Sequence, residues 1–109
     1  MAHIQVVTTA GSREEAERIA RLLVERRLAG CVQVLGPVRS LYWWEGRVEE
    51  AEEWLCIAKS REDLFPELEA AIREGHSYQV PEILATRVDQ GSRPYLEWLD
   101  RELKPLNPL

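Results

Sequence analysis

Three features of the 109-residue sequence predict an α+β fold with an antiparallel sheet. Short β-branched and aromatic runs alternate with stretches of helical period, in the order β-α-β-β-α-β followed by one more helix. Two of the strand runs meet at Glu45-Gly46, a two-residue turn signal, so they pair as a hairpin and need no crossover. Each helical stretch carries its own start and stop residues. This order is the split β-α-β, or ferredoxin-like, arrangement, with the first two helices on one face of the sheet. The length fits a single domain spanning residues 1–109.

The first strand is HIQVVTT, ended by Gly11 and Ser12. Ser12 reads as an N-cap, with Glu15 three residues on completing a capping box. Ala16, Ile19, Ala20, Leu23 and Val24 form the apolar stripe of the helix that follows. Arg26 and Arg27 occupy its last turn, where cations suit the dipole, and Gly30 supplies the exit. Two long strands come next, the first broken or bulged at Gly36-Pro37. Their aromatic and β-branched residues carry them past the rest of the sheet. In the second helix Pro66 belongs to the first turn, Asp63 caps it, and Leu64, Leu68, Ala71 and Ile72 form its inner face. Gly75 is placed as a left-handed C′ residue. QVPEILATRV is the fourth strand, and Pro81 near its start marks either an edge position or a strand entrance. Ser92 caps a last helix, with Pro94 in its first turn and Tyr95, Trp98, Leu99 and Leu103 inward. Residues 103–109, with two prolines, are expected to fray.

A net charge of −5 argues against nucleic acid, which demands a basic stripe. No apolar run is long enough to span a membrane, and the start lacks a signal-peptide pattern, so a cytoplasmic protein is expected. Cys31 and Cys56 then read as free thiols. The run WLCIA, Trp54 to Ala58, does not alternate, so both faces of that strand call for burial. Two helices cover one face only. Either the last helix crosses the other, or a second copy does; four tryptophans and the exposed LYWWEG hairpin favour a homo-oligomer.

Few residues offer chemistry. His76 reads either as a helix-end residue favoured by the dipole or as a metal ligand. Cys31 opens a strand, Lys59 closes one, and Tyr78 and Glu82 flank the turn after His76. These four are candidates for a cleft between subunits, where Lys59 and Glu82 can pair. His3 stands near the terminus with no role. The glutamates at 49, 50, 52 and 53 read as a solvated or salt-bridged hairpin face. No metal-binding spacing, phosphate loop or nucleophile motif occurs, so no enzyme is expected.

LLVERRLAGCVQV, SLYWWEGRVEEAEEWLCIAKS, HSYQVPEI and GSRPYLEWL, in that order and spacing, resemble the CutA family of divalent-cation tolerance proteins. The resemblance implies a ferredoxin-like subunit in a tight homotrimer whose long hairpins wrap onto neighbours. It implies a part in tolerance of copper and other divalent metals, and no catalytic activity. It also implies an architectural likeness to the trimeric PII proteins, which leaves a second function open: a signalling or scaffold module binding a small anion or a protein at the subunit clefts. The sequence departs from the family at two places. The family reads His-Pro-Tyr where this chain has His76-Ser77-Tyr78, which implies a looser turn. Where copper-binding members carry a cysteine and two adjacent histidines, this chain has Thr8, Gly75 and His76. Copper, or another divalent cation, is therefore expected to bind weakly, through His76.

Overall fold

The computed structural model describes residues 1–106. The elements run β1 (His3–Ala10), α1 (Arg13–Glu25), β2 (Cys31–Trp44), β3 (Arg47–Arg61), α2 (Phe65–Gly75), β4 (Ile83–Arg87) and α3 (Arg93–Glu102). The four strands form one antiparallel sheet in the order β2-β3-β1-β4. That is the α+β, ferredoxin-like topology the sequence predicts.

Strand alternation assigns the two faces. Ile4, Val6 and Ala58 point toward α1 and α2 and are buried against Ile19, Leu23, Leu68, Ala71 and Ile72, and Cys56 on the same face is buried with Ala10 and Ala16. Val7, Leu55 and Ile57 point the other way and stay partly exposed. On that face Leu35 is 48% and Leu84 61% exposed. α3 does not cross it. Leu99 and Leu103 pack with Leu64 in a separate cluster, and Leu99 and Trp98 lie against Gly30.

The hairpin is long because β2 has 14 residues and β3 has 15, while β1 reaches β3 only as far as Trp54. Among the described residues, 47–53 therefore have β2 as their only strand partner. The tip is the expected Glu45-Gly46 turn, both residues at positive φ (50° and 78°), closing a Trp44–Arg47 pair. The break at Gly36-Pro37 is a register shift between Leu35 and Val38, and β2 continues through it. The Trp54 indole lies against Gly36, leaving no room for a Cβ.

Five local expectations change. α1 leaves through Arg27, not Gly30. Arg27 adopts φ 57°, the Leu28 amide donates to the Leu23 carbonyl and the Arg27 amide to Val24. This is a Schellman exit without glycine, and the burial of Leu28 beside Leu23 compensates the unfavourable backbone. Asp63 does not cap α2. It lies in a single 3₁₀ turn, Glu62–Leu64, and accepts from Arg61, whose guanidinium is also bonded to the Lys104 carbonyl. Gly75 is the last residue of α2 and is not left-handed; His76 follows it in extended conformation, φ −97° and ψ 141°. β4 begins at Ile83 rather than Gln79, because the Thr9 carbonyl, just past the last β1–β4 pair, is taken by the His76 ring. The tail is tied down at its start: Leu103 is buried, and the Lys104 amide donates to Arg27. Residues 107–109 of the expected frayed segment lie outside the described residues.

Candidate functional site

The turn after α2 gathers a connected set of hydrogen bonds from three other elements. The His76 side chain is 0% exposed. Its Nε2–H donates to the Thr9 carbonyl at 2.6 Å, and its Nδ1 accepts the Tyr78 amide at 3.1 Å. These two contacts select the Nε2–H tautomer.

Glu15 reaches the same turn from α1. Ser12 Oγ accepts the Glu15 amide at 3.1 Å, so the cap forms as the sequence predicts. The Glu15 carboxylate departs from the expected box. Its oxygens accept the Ser77 amide at 2.7 Å and the Ser77 hydroxyl at 3.0 Å, and one lies 3.7 Å from His76 Nδ1. Burial pulls this carboxyl upward, but the Ser77 hydrogen bonds and nearby His76 outweigh it, so its pKa falls below the ordinary value. The turn expected to loosen for want of proline is thus tied by two hydrogen bonds to a carboxylate.

Tyr78 completes the group. Its ring lies 4.8 Å from the imidazole, and its hydroxyl donates to Glu53 at 2.8 Å. Burial, then the bond to Glu53, pushes the phenol well above its ordinary pKa. A Cβ on Gly11 would meet that hydroxyl at 3.2 Å, so glycine there keeps the space open. Glu53, expected on a solvated face, is buried; only Glu50 of that set forms the anticipated surface pair, with Arg39 at 2.8 Å. Glu15 and Glu53 are the site residues that sequence reasoning missed. The partly buried Tyr78 finds its partner across the sheet, and nothing in the local spacing named which glutamate it was.

The four cleft candidates separate within the chain. Cys31 and Lys59 are register partners on the uncovered face, and Lys59 Nζ donates to Gln33 at 2.7 Å. Tyr78 and the exposed Glu82 belong to the other end of the sheet. Glu53, which binds Tyr78, is six residues from Lys59, about 20 Å at the usual strand rise. Cys56 is buried, donates to the Ala16 carbonyl at 3.4 Å, and has its thiol pushed up to about 11 by burial, with Glu15 adding. Both cysteines are free.

The donor set of one subunit does not fit a closed copper site. Both His76 nitrogens are engaged, Thr8 offers a buried hydroxyl without a hydrogen-bond partner, and Gly75 has no side chain. Among the described residues no three His, Cys, Asp or Glu side chains gather as a metal would require. No described helix is long and apolar enough to cross a membrane.

A four-stranded split β-α-β sheet with an overlong hairpin and a hydrogen-bonded His-Ser-Tyr turn defines a narrow class of small α+β proteins. Residues 4–102 match the model of the CutA1 divalent ion tolerance proteins, and the chain belongs to that family. It is 40% identical over 102 residues to the divalent-cation tolerance protein CutA of Archaeoglobus fulgidus, covering 94% of this chain and 99% of that one. The Pyrococcus horikoshii protein of the same name is 44% identical over 101 residues, covering 93% and 98%. Among solved structures, the Thermus thermophilus divalent cation tolerance protein superposes with a TM-score of 0.92 at 39% identity, covering 94% and 99%. The A. fulgidus structure, described as a periplasmic divalent cation tolerance protein, superposes at 0.91, with 40% identity and the same coverage.

Proposed function

We propose that this chain acts in divalent-cation tolerance as a non-enzymatic homotrimer, with copper among the cations concerned. The observation that carries the reading is the uncovered sheet face, with Leu35, Leu84 and the exposed Trp43 and Trp44 of the hairpin. Apolar surface of this kind marks an association site. The divalent-cation role is preferred over a PII-like ligand module because it is the role the relatives' names carry.

In a cyclic trimer each contact joins two different patches of the chain, and the two ends of the sheet are the patches proposed to meet. Cys31 and Lys59 of one subunit then face Tyr78 and Glu82 of the next. Lys59→Glu should weaken the assembly, and adding Glu82→Lys should restore it; a double variant no better than the single one removes this pairing.

Copper binding at His76 is proposed to be weak, because a metal must displace the Tyr78 amide from Nδ1 or the Thr9 carbonyl from Nε2. Calorimetry on wild type and His76→Ala tests this. A tight stoichiometric site that survives the substitution would place the ligands elsewhere. A cytoplasmic location goes with two free thiols; cell fractionation distinguishes it from the periplasm.

A further inference from the structure

Residues 76–82 lie outside every helix and strand, between the end of α2 and the start of the edge strand β4. The head of this segment is nevertheless tied to three elements at once. His76 donates to Thr9 on β1, Ser77 donates twice to Glu15 on α1, and Tyr78 donates to Glu53 on β3. Within one chain the tail is free by comparison: Gln79, Val80 and Glu82 are exposed there. None of these residues belongs to the apolar clusters beneath the sheet. The segment can therefore move without dismantling the core.

We propose that the head of this segment is a latch and that Glu15 is the positioning residue that keeps it shut. Ser77 stands between His76 and Tyr78 in the chain, so the carboxylate that fixes Ser77 fixes both neighbours. Its two hydrogen bonds are charge-assisted, the stronger kind. The Tyr78 hydroxyl makes one such bond, to Glu53, while His76 bonds to a neutral carbonyl; the amide of Tyr78 bonds to the ring of His76, so the contacts form one connected set. Releasing Ser77 lets Tyr78 swing off Gly11 and Glu53. That uncovers the Thr9 carbonyl and two buried carboxylates at this end of the sheet, and frees the lead-in to β4. This device goes beyond the cation-tolerance reading and holds whatever ligand the protein takes.

Hydrogen exchange read by mass spectrometry on the full chain tests it directly, because the Ser77 and Tyr78 amides are themselves latch donors. With Glu15→Ala, exchange across 76–82 should quicken about tenfold or more, as expected for a lost bond to a charged acceptor. β1, β3 and α2 should keep wild-type rates. Glu15→Gln, which retains an acceptor oxygen without charge, should fall between. Unchanged exchange at 76–82 in Glu15→Ala overturns the latch. So does an acceleration that spreads equally through β1 and α2, since Glu15 would then be part of the global fold. Should Glu15→Ala fail to fold, Ser77→Ala decides: a rise confined to 76–82 supports the latch, and none refutes it.

Discussion

The same four strands build two faces of the sheet that end differently. Toward the helices, Ile4, Val6 and Ala58 meet Ile19, Leu23, Leu68 and Ile72, and every one of them is buried. On the opposite side Leu35 and Leu84 remain open, and the hairpin presents Trp43 at 74% exposure. The subunit thus completes one core and leaves a second half-built. The difference teaches that substitutions on the two faces should report on different equilibria, folding of the chain on one side and association on the other.

The largest effect is expected on the covered face. Leu23→Ala deletes a fully buried side chain from the centre of the core. It should cost about 2–5 kcal/mol, read as a lower denaturant midpoint. If association is coupled to folding, oligomer mass should still be unchanged in buffer. A loss of mass without a loss of stability would blur the two faces.

Next comes the open face. Trp44→Ala should weaken association by about 2 kcal/mol or more if that ring anchors the contact. Sedimentation at falling concentration reads it, and the isolated subunit should keep its far-ultraviolet spectrum. A variant that sheds structure along with mass would make the hairpin part of the subunit's own fold.

A smaller, pH-dependent term belongs to neither face. Asp63 accepts from the nearly buried Arg61, and that hydrogen bond holds its carboxyl below the ordinary value, against the upward pull of burial. A carboxylate whose folded pKa is depressed contributes stability above its unfolded value near 3.8 and loses it as pH falls through the folded value. About 1–2 kcal/mol should therefore disappear below pH 4, and Asp63→Asn should remove most of that slope. An unaltered slope would assign the acid sensitivity to other carboxylates.

The smallest effect is set by exposure. Arg39 and Glu50 pair at 2.8 Å, but both are more than half exposed, so Arg39→Ala should change stability by about 0–1 kcal/mol. A larger loss, accompanied by a lower assembly mass, would mean the pair is covered by a neighbour.

Much of this architecture was legible in the chain. Ser12, the Glu45-Gly46 turn, Pro66 and the periodic apolar positions are local signals, and each element they announce is present. Boundaries decided by distant partners were not. Gly30 looked like the helix exit, yet Arg27 takes the left-handed position because Leu28 gains burial there. β4 looked longer, but the His76 ring occupies the Thr9 carbonyl. Glu15 read as a capping residue and Glu53 as a surface charge, because their partners, Ser77 and Tyr78, lie far along the chain. Of the candidate site, His76 and Tyr78 were found from sequence; the carboxylates that hold the turn were not. Whether Cys31 and Lys59 meet Tyr78 and Glu82 depends on a boundary between chains, which one sequence does not encode locally.

The central claim is that the open face is closed by copies of the same chain. Light scattering on purified protein at micromolar concentration and below tests it most directly. The account predicts the mass of three chains, maintained on dilution; the mass of a single chain at micromolar concentration would contradict it.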